Sequence, residues 1–201
     1  MKYKEKKMLI LASTSPRRKD ILSYFSIKFK CIPSHFDEKK IKFLKDPKSY
    51  AIEIAENKAK ALGDKYYNDI VLSADTICFA NNKIYTKPEN EKDAFRILNE
   101  LSNTWHSVFT AICIKHKDKI FSDIEETKIL FHALTESQIK KYHSSFYYSD
   151  KAAGYAIQKA GSIIIKNMLG CYYNVMGMPI DTLKNSLLKV GIDLWDFLKP
   201  S

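Results

Sequence analysis

The chain has 201 residues, 45% of them hydrophobic and 12% aromatic, which excludes a disordered protein and suffices for one domain or two small lobes. No apolar run approaches the roughly 20 residues that a membrane-spanning helix needs, so we expect a soluble protein. The formal net charge of +10 suits a polyanionic partner, either a nucleotide or a nucleic acid, but lysines on solvated surfaces would also produce it.

The N-terminal residues 1–7 are basic, and the apolar run that follows, residues 8–12, is shorter than the roughly 7–15 residues of a signal-peptide core. We therefore expect no secretion signal, with residues 1–7 as an extension and residues 8–201 as a single domain. The cysteines are far apart and form no CxxC pair: Cys31, Cys78, Cys113 and Cys171. Isolated thiols of this kind are typical of a reducing compartment, so we expect a cytoplasmic protein.

Residues 8–12 predict a buried strand that leads directly into a helix. Ser15 suits the N-cap and Pro16 the first helical position, which places Arg17 and Arg18 in the first turn. That turn already favours anions, through its free backbone N–H groups and the helix dipole, and acidic side chains are its usual occupants. Two arginines there indicate a bound phosphate group; the alternative is a solvated pair on a surface helix.

A strand is predicted over residues 27–32, and the polar loop after it carries Asp37 and Glu38, which can face solvent or a metal ion. A helix is then predicted over residues 47–63, opened by a proline and closed by a glycine. Lys58 lies on the apolar face of this helix, where a charge is costly. Its side chain either binds an anion such as a phosphate or extends its charged end to solvent.

Residues 70–79 form the most apolar predicted strand, and Asp75 lies in its middle, next to Thr76. Because buried unpaired carboxylates are rare, Asp75 is a candidate metal ligand or general base; a cap or a buried ion pair is the structural alternative. An Asn-Asn pair then predicts a tight turn. The resulting hairpin should bring Lys87 near Asp75 as a second candidate lysine for phosphate.

The remaining chain predicts a mixed sheet, because a long antiparallel hairpin follows the strand-helix-strand opening. The predicted elements are a helix capped by Asn90, strands over 105–114 and 120–131, a helix opened by a Thr135–Gln138 capping box, a strand over 162–166 and a helix over 179–190. Residues 150–158 are rich in small side chains, and the amide of Gln158 can both donate to and accept from the edge of a base.

Taken together and in this order, these stretches resemble the Maf family, the septum-formation-inhibitor-like nucleotide pyrophosphatases, over residues 8–192. The resemblance rests on several short motifs: residues 11–18 (LASTSPRR), Asp37-Glu38, Asn57-Lys58-Ala59, Ala74-Asp75-Thr76, Lys87-Pro88, Leu101-Ser102 with His106, Ala156-Ile157-Gln158, and Tyr173-Asn174 before Gly177-Met178-Pro179.

The resemblance implies an α/β fold with an elongated, mixed and twisted sheet flanked by helices, in which two lobes enclose a central cleft. It implies hydrolysis of a nucleoside triphosphate to the monophosphate and pyrophosphate, and it implies a homodimer. By motif position, the site residues of the family fall on Ser13, Arg17, Arg18, Glu38, Lys58, Asp75, Lys87 and Gln158.

Hydrolysis at the α-phosphorus requires an activated water, a divalent ion and cations that offset the charge of the leaving group. We expect Glu38 and Asp75 to hold Mg²⁺ or Mn²⁺, with Asp75 also the general base. The other residues are assigned to the substrate: Arg17, Arg18, Lys58 and Lys87 to the triphosphate, Ser13 to a phosphate, Thr76 to the substrate, and Gln158 to the base.

Arg17 and Gln158 are similar to the subgroup that acts on dTTP, UTP and modified pyrimidine nucleotides, whereas the 7-methyl-GTP subgroup tends to carry Trp and Glu at these positions. Three positions depart from the family pattern: Asn103 stands where glycine is usual, and Lys159-Ala160 replaces a glycine and an apolar residue. The alternative function is a non-enzymatic, nucleic-acid-binding regulator of cell division. The basic charge suits that alternative, but a binder has no need for Asp75, so we expect neither a nucleic-acid nor a membrane partner.

Overall fold

The computed structural model of the protein describes residues 7–146 and 148–199. The strands are β1 (Leu9–Leu11), β2 (Phe29–Cys31), β3 (Ile70–Ala80), β4 (Lys83–Tyr85), β5 (Trp105–His116), β6 (Lys119–Phe131) and β7 (Ile165–Leu169). The helices are α1 (Pro16–Leu22), α2 (Pro47–Gly63), α3 (Glu91–Leu101), α4 (Glu136–Ser145), α5 (Tyr172–Val175) and α6 (Ile180–Leu188). Residues 1–6 of the predicted basic extension lie outside the described residues.

All these strands belong to one sheet, in the order β2-β1-β3-β5-β6-β7, with β4 also paired to β3. β1 runs parallel to both β2 and β3, whereas β3, β5, β6 and β7 are successively antiparallel. The three long strands contain 11, 12 and 13 residues, which gives the sheet its elongated form. The predicted mixed sheet flanked by helices is confirmed.

Helices cover both faces of the sheet. Alternate residues of β3 and β5 point to opposite faces and so enter different parts of the core. On one face Val71 and Cys113 pack with Ala55 and Ala59 of α2. On the other face, one end of the sheet packs on α6, with Leu72, Ile112 and Ile114 against Leu183 and Leu187. The other end packs on α3 and α4, with Cys78 and Val108 against Leu98 and Ile139.

The sheet is interrupted at the middle of β3, and this interruption creates the cleft. On one edge of β3 the pairing with β1 ends at Leu72, and the pairing with β4 begins only at Cys78. The chain after β1 turns away from the sheet at Ser13 and enters α1. The β3 residues between the two pairings therefore have an open edge, and Asp75 lies at its centre.

Most elements predicted from local signals are confirmed, including the bounds of α2 at Pro47 and Gly63, the hairpin after β3 and the capping box at Thr135. The strand predicted over residues 162–166 is wrong in its position. A 3₁₀ helix occupies Lys159–Ile164, and the strand β7 begins at Ile165. The isoleucines of this segment suit a strand, but Ile163 is 74% exposed, so the segment does not continue the apolar pattern of the sheet.

Two expectations drawn from the composition concern membrane-spanning helices and the cysteines. In the part of the chain that the structure describes, no helix is long and apolar enough to cross a membrane. The cysteines are free thiols, and Cys78 and Cys113 are buried in the core as small apolar side chains.

Candidate active site

Every residue predicted for the site lines one cavity of about 920 Å³ at the interruption of the sheet. These residues are Ser13, Arg17, Arg18, Glu38, Lys58, Asp75, Thr76, Lys87 and Gln158. The cavity is also lined by the loop after β2, by the segment after β4, and by residues 150–158 and 175–177. The structure therefore brings together residues that are up to 145 positions apart, from Ser13 to Gln158.

Arg18 is anchored by the first turn of α1 and by three side-chain hydrogen bonds. Its backbone N–H points to the N-cap oxygen of Ser15 at 3.5 Å. Its guanidinium donates to the Gly177 carbonyl at 2.9 Å, to the Thr76 hydroxyl at 3.0 Å and to the Ser13 hydroxyl at 3.3 Å. Burial lowers the pKa of Arg18, while the negative charges of Asp75 and Glu38 oppose that shift. The guanidinium is thus a fixed positive charge beside two carboxylates.

Gly177 must be a glycine for this anchor to form. Its φ of +93° lies in a region that other residues rarely adopt. A Cβ atom there would lie 3.0 Å from the Thr76 hydroxyl and 3.4 Å from Arg18 Nε. A side chain at this position would therefore displace the groups that hold the arginine.

The hydroxyl of Thr76 has a fixed direction, which follows from its neighbours. The Thr110 hydroxyl lies 3.0 Å from that of Thr76 and donates to the Asn174 carbonyl at 2.7 Å. Because the single hydrogen of Thr110 is used there, Thr76 donates to Thr110 and accepts from Arg18. Thr76 can therefore offer a ligand only an acceptor.

The Asn174 side chain ties this network to the sheet. Its buried amide nitrogen donates to the Val108 carbonyl and to the Thr127 hydroxyl, each at 2.9 Å. These contacts join α5 to β5 and β6 directly below the site. Asn174 and Gly177 occur in a motif of the family resemblance, but no local pattern indicates their structural roles.

A cluster of three charged side chains lies in the cleft, with Lys58 and Asp75 buried and Glu38 about half exposed. Lys58 Nζ lies 2.7 Å from Asp75 Oδ1 and 2.7 Å from Glu38 Oε1. Burial raises the pKa of Asp75, although the positive charge of Lys58 opposes the shift. Burial also acts to raise the pKa of Glu38, but Lys58, Lys87 and Arg18 outweigh it and the net shift is downward. Lys58 thus does not extend to solvent, and its partners here are carboxylates.

The two acidic residues of the loop after β2 have different positions. The Asp37 carboxylate accepts from the Lys39 N–H at 3.1 Å and caps the 3₁₀ helix Glu38–Lys40. This turn directs Glu38 into the cleft, toward Lys58. Of the pair, Glu38 is therefore the candidate for chemistry, and Asp37 has a structural role.

The donors in the cleft fit a weakly held hard cation. Among residues 7–146 and 148–199, no group of three or more His, Cys, Asp or Glu side chains could hold a metal ion by itself. Mg²⁺, however, is usually bound by one or two carboxylates, with waters and substrate phosphates as the other ligands. The Asp75 and Glu38 carboxylates converge on one point, the Lys58 nitrogen, and supply that kind of donor set.

Three of the predicted residues lie nearer the mouth of the cleft. Lys87 is exposed in the segment that follows β4, where its charge contributes to the lowered pKa of Glu38. Gln158 is half-buried and directly precedes the 3₁₀ helix Lys159–Ile164. Arg17 donates from Nη1 to Asp150 Oδ2 at 2.6 Å and from Nη2 to the Asp150 carbonyl at 3.1 Å. The Asp150 contact was missed, because a pairing across 133 positions leaves no local pattern.

An interrupted α/β sheet whose cleft combines arginines and lysines with two convergent carboxylates defines a site for a phosphorylated anion. The sequence profile of Maf-like proteins matches residues 8–190. The chain therefore belongs to the Maf-like family, as the resemblance predicted.

Relatives with assigned activities align over nearly the whole chain. A dTTP/UTP pyrophosphatase of Chlamydia caviae is 39% identical over 191 residues, which cover 94% of this chain and 97% of the relative. A dTTP/UTP pyrophosphatase of Clostridium botulinum is 39% identical over 193 residues, covering 94% and 100%. The Ham1 protein of Staphylococcus aureus, a solved structure, aligns over 96% of this chain and 94% of its own with a TM-score of 0.44 and 15% identity, too distant to bear on function.

Proposed function

We propose that this protein is a nucleoside triphosphate pyrophosphatase that hydrolyses dTTP and UTP to the monophosphate and pyrophosphate. The observation that carries the proposal is the Lys58–Asp75–Glu38 cluster beside Arg18, with Lys58 and Asp75 buried, in a cleft large enough for a nucleotide. The names of relatives that align over 94% of the chain support the same activity. An enzyme of this kind removes unwanted pyrimidine nucleotides from the nucleotide pool.

The cationic residues of the cleft are assigned to the triphosphate. Arg18 presents a pre-oriented guanidinium, and its hydrogen bonds to the protein reduce the entropy that ligand binding would otherwise cost. Ser13 lies in the turn between β1 and α1, where its hydroxyl already contacts Arg18 and can contact a phosphate oxygen. Arg17, Lys58 and Lys87 supply the other positive charges, which offset the charge that develops on the departing pyrophosphate.

Asp75 is assigned as the general base that takes a proton from the attacking water. Its raised pKa makes it a stronger base than an exposed carboxylate, and Lys58 at 2.7 Å holds its orientation. Asp75 and Glu38 would hold Mg²⁺ or Mn²⁺, which would polarise the phosphate oxygens that it contacts. Lys58 donates to both carboxylates and so keeps them in place.

Gln158 is assigned to the base of the nucleotide. Uracil and thymine present an acceptor, O4, beside a donor, N3–H, and one amide can pair with both. A mismatched base would leave buried polar groups without partners, at about 1–3 kcal/mol each. We therefore expect dTTP and UTP to exceed ATP and GTP in kcat/KM by at least about tenfold.

The change Gln158→Glu tests this assignment, because it removes the amide donor and keeps the shape of the side chain. We expect the pyrimidine preference to shrink, measured as the ratio of kcat/KM for dTTP to that for GTP. If Gln158→Glu lowers kcat/KM equally for all nucleotides, Gln158 does not select the base, and the assignment of the reaction is unaffected.

The reaction itself is tested by a panel of nucleoside triphosphates with separate detection of pyrophosphate and orthophosphate. We expect pyrophosphate and one monophosphate in equal amounts from dTTP and UTP, without orthophosphate. Release of orthophosphate would place the cleavage at another bond, and no release of either product would reject the proposed function. The alternative of a nucleic-acid-binding regulator of division finds no support in the cleft or in the names of the relatives.

We further propose a cytoplasmic homodimer, on the basis of the family resemblance. Light scattering at several protein concentrations measures the oligomeric state directly. A mass near 23.2 kDa, that of one chain, at all concentrations would contradict the dimer.

A further inference from the structure

Asp150 is a carboxylate of the cleft to which the proposed function assigns no role. It lies in the segment between α4 and Gln158, and its side chain is about one third exposed. On charge alone it is unfavourable there, because a carboxylate at the mouth of a triphosphate site repels the substrate. Its presence therefore calls for a compensating role.

The contacts of Asp150 connect it to cations of the cleft. Arg17 donates to its carboxylate at 2.6 Å and to its backbone carbonyl at 3.1 Å, so one residue holds two nitrogens of the guanidinium. The other carboxylate oxygen, Oδ1, accepts from Lys151, which also lines the cavity. Two contacts fix both the position and the plane of the Arg17 group.

Arg17 keeps donors for a ligand despite this pairing. A guanidinium has five N–H donors, and the two Asp150 contacts use two of them. Among the described residues the structure shows no other acceptor for Arg17. The remaining donors can therefore bind a phosphate without breaking the ion pair, so Asp150 can orient Arg17 without withdrawing it from the substrate.

We propose that Asp150 is a positioning residue that holds Arg17 toward the triphosphate and joins the first turn of α1 to the segment that ends in Gln158. This inference rests on the proposed function, because it concerns the same substrate. A freely rotating Arg17 would have to be immobilised on binding, whereas the paired Arg17 is immobilised already. Positioning and simple repulsion predict opposite changes in the affinity for the triphosphate. Removing the charge of Asp150 weakens binding if Asp150 positions Arg17, and strengthens binding if it only repels the substrate.

The test is a double-mutant cycle on the binding of dTTP with an imido group between the α- and β-phosphorus atoms, which resists cleavage at that bond. Isothermal titration calorimetry compares the wild type, Asp150→Asn, Arg17→Ala and the double variant. We expect Asp150→Asn to weaken binding at least about fivefold in the wild type, but at most about twofold when Arg17 is already alanine. The matched control Asp181→Asn, an exposed carboxylate on α6 that pairs with Lys184, should leave binding unchanged.

Asp150→Glu is a second variant that keeps the charge and moves the carboxylate by one methylene. We expect at least about a threefold loss of affinity, because position and not charge is the proposed role. Unchanged or tighter binding in Asp150→Asn, additive effects in the cycle, or wild-type affinity in Asp150→Glu would each overturn the inference. A wild type that binds the analogue but releases no pyrophosphate from dTTP would reject the proposed function alone, since the cycle measures binding without turnover.

Discussion

Asp75 combines two features that oppose each other: a position in an apolar strand and a charge. Its side chain is 7% exposed, and the positive charge of Lys58 opposes the rise in pKa that burial causes. Replacing such a group with an isosteric amide preserves its shape and removes its basicity. The substitution therefore separates the chemical role of Asp75 from its role in packing.

We predict that Asp75→Asn leaves the fold intact and lowers kcat for dTTP by at least about 100-fold, a typical contribution of a positioned base. Steady-state kinetics at saturating Mg²⁺ and at saturating Mn²⁺ measure the effect, and thermal unfolding checks the fold. Near-wild-type turnover at either metal would reject the assignment of Asp75 as the base.

The ammonium group of Lys58 lies where the carboxylates of Asp75 and Glu38 converge, which is also where they would hold a metal ion. A divalent cation at the same carboxylates would be repelled by it. We predict that Lys58→Met abolishes most activity, since a thioether cannot bind a phosphate, but tightens Mn²⁺ binding in the absence of nucleotide by at least about tenfold. Electron paramagnetic resonance of free Mn²⁺ measures the binding.

The matched control is Lys60→Met, an exposed lysine of the same helix that pairs with Glu56 outside the cleft. It should change neither activity nor Mn²⁺ affinity. Full activity in Lys58→Met would remove Lys58 from the site, and weaker Mn²⁺ binding would show that its ammonium does not compete with the metal.

Some residues of the cleft could be predicted from the sequence because they violate a local pattern. Lys58 interrupts the apolar face of α2 and Asp75 interrupts an apolar strand, so each is visible without a structure. Thr110 and Asp150 violate nothing in their own segments. Their importance comes from partners 64 and 133 positions away, and only the folded chain shows it.

At the scale of elements, the accuracy of prediction followed the strength of local signals. The helix α2 begins at a proline, and Asp46 caps it by accepting hydrogen bonds from the N–H groups of Lys48 and Ser49. Its predicted bounds are correct. The 3₁₀ helix Lys159–Ile164 has no side-chain cap, and its isoleucines favour a strand. Without a local signal for 3₁₀ structure, the sequence predicted a strand there.

Two of the three departures from the family pattern, Asn103 and Lys159, concern the backbone conformation. Asn103 and Lys159, which stand where glycine is usual, have φ values of +52° and +53°. Asparagine tolerates this left-handed conformation better than most residues, whereas for lysine it costs roughly 1–2 kcal/mol. Both residues therefore keep the left-handed backbone conformation that glycine adopts most easily.

We predict that Lys159→Gly raises the free energy of unfolding by about 0.5–1 kcal/mol, because the relief of strain exceeds the added flexibility of the unfolded chain. Urea unfolding measures the change. The matched control Lys141→Gly removes an exposed lysine from the interior of α4 and should destabilise by about 1 kcal/mol. Equal destabilisation by both changes would contradict the strain at Lys159.

The cleft is a property of the whole sheet and depends on strand lengths. β1 has three residues and β3 has eleven, so β1 cannot cover the edge of β3, and β4 covers only its far end. The motifs predicted residues that line the cleft, and the family resemblance implied a cleft. The gap between Leu72 and Cys78 that forms it depends on the pairing of distant strands, which no single segment encodes.

The net charge of +10 also acts at this scale. Exposed lysines around the cleft attract a triphosphate over distances that salt shortens, from about 30 Å at 0.01 M to about 10 Å at 0.1 M. We predict that kcat/KM for dTTP falls at least about tenfold across this range while kcat changes less than about twofold, because the field acts on binding and not on the buried reacting groups. Steady-state kinetics at a fixed, saturating metal concentration measure both parameters.

Substitutions of two exposed lysines can distinguish the electric field at the cleft from the effect of the overall charge of the molecule. Lys39 lines the cavity, whereas Lys166 lies on the edge strand β7, away from it. Lys39→Gln should flatten the salt dependence of kcat/KM, and Lys166→Gln should leave it unchanged, although both remove one positive charge. Equal slopes for the two variants would mean that the net charge of the molecule attracts the substrate, and a kcat that falls in parallel with kcat/KM would place the effect of salt on the chemical step.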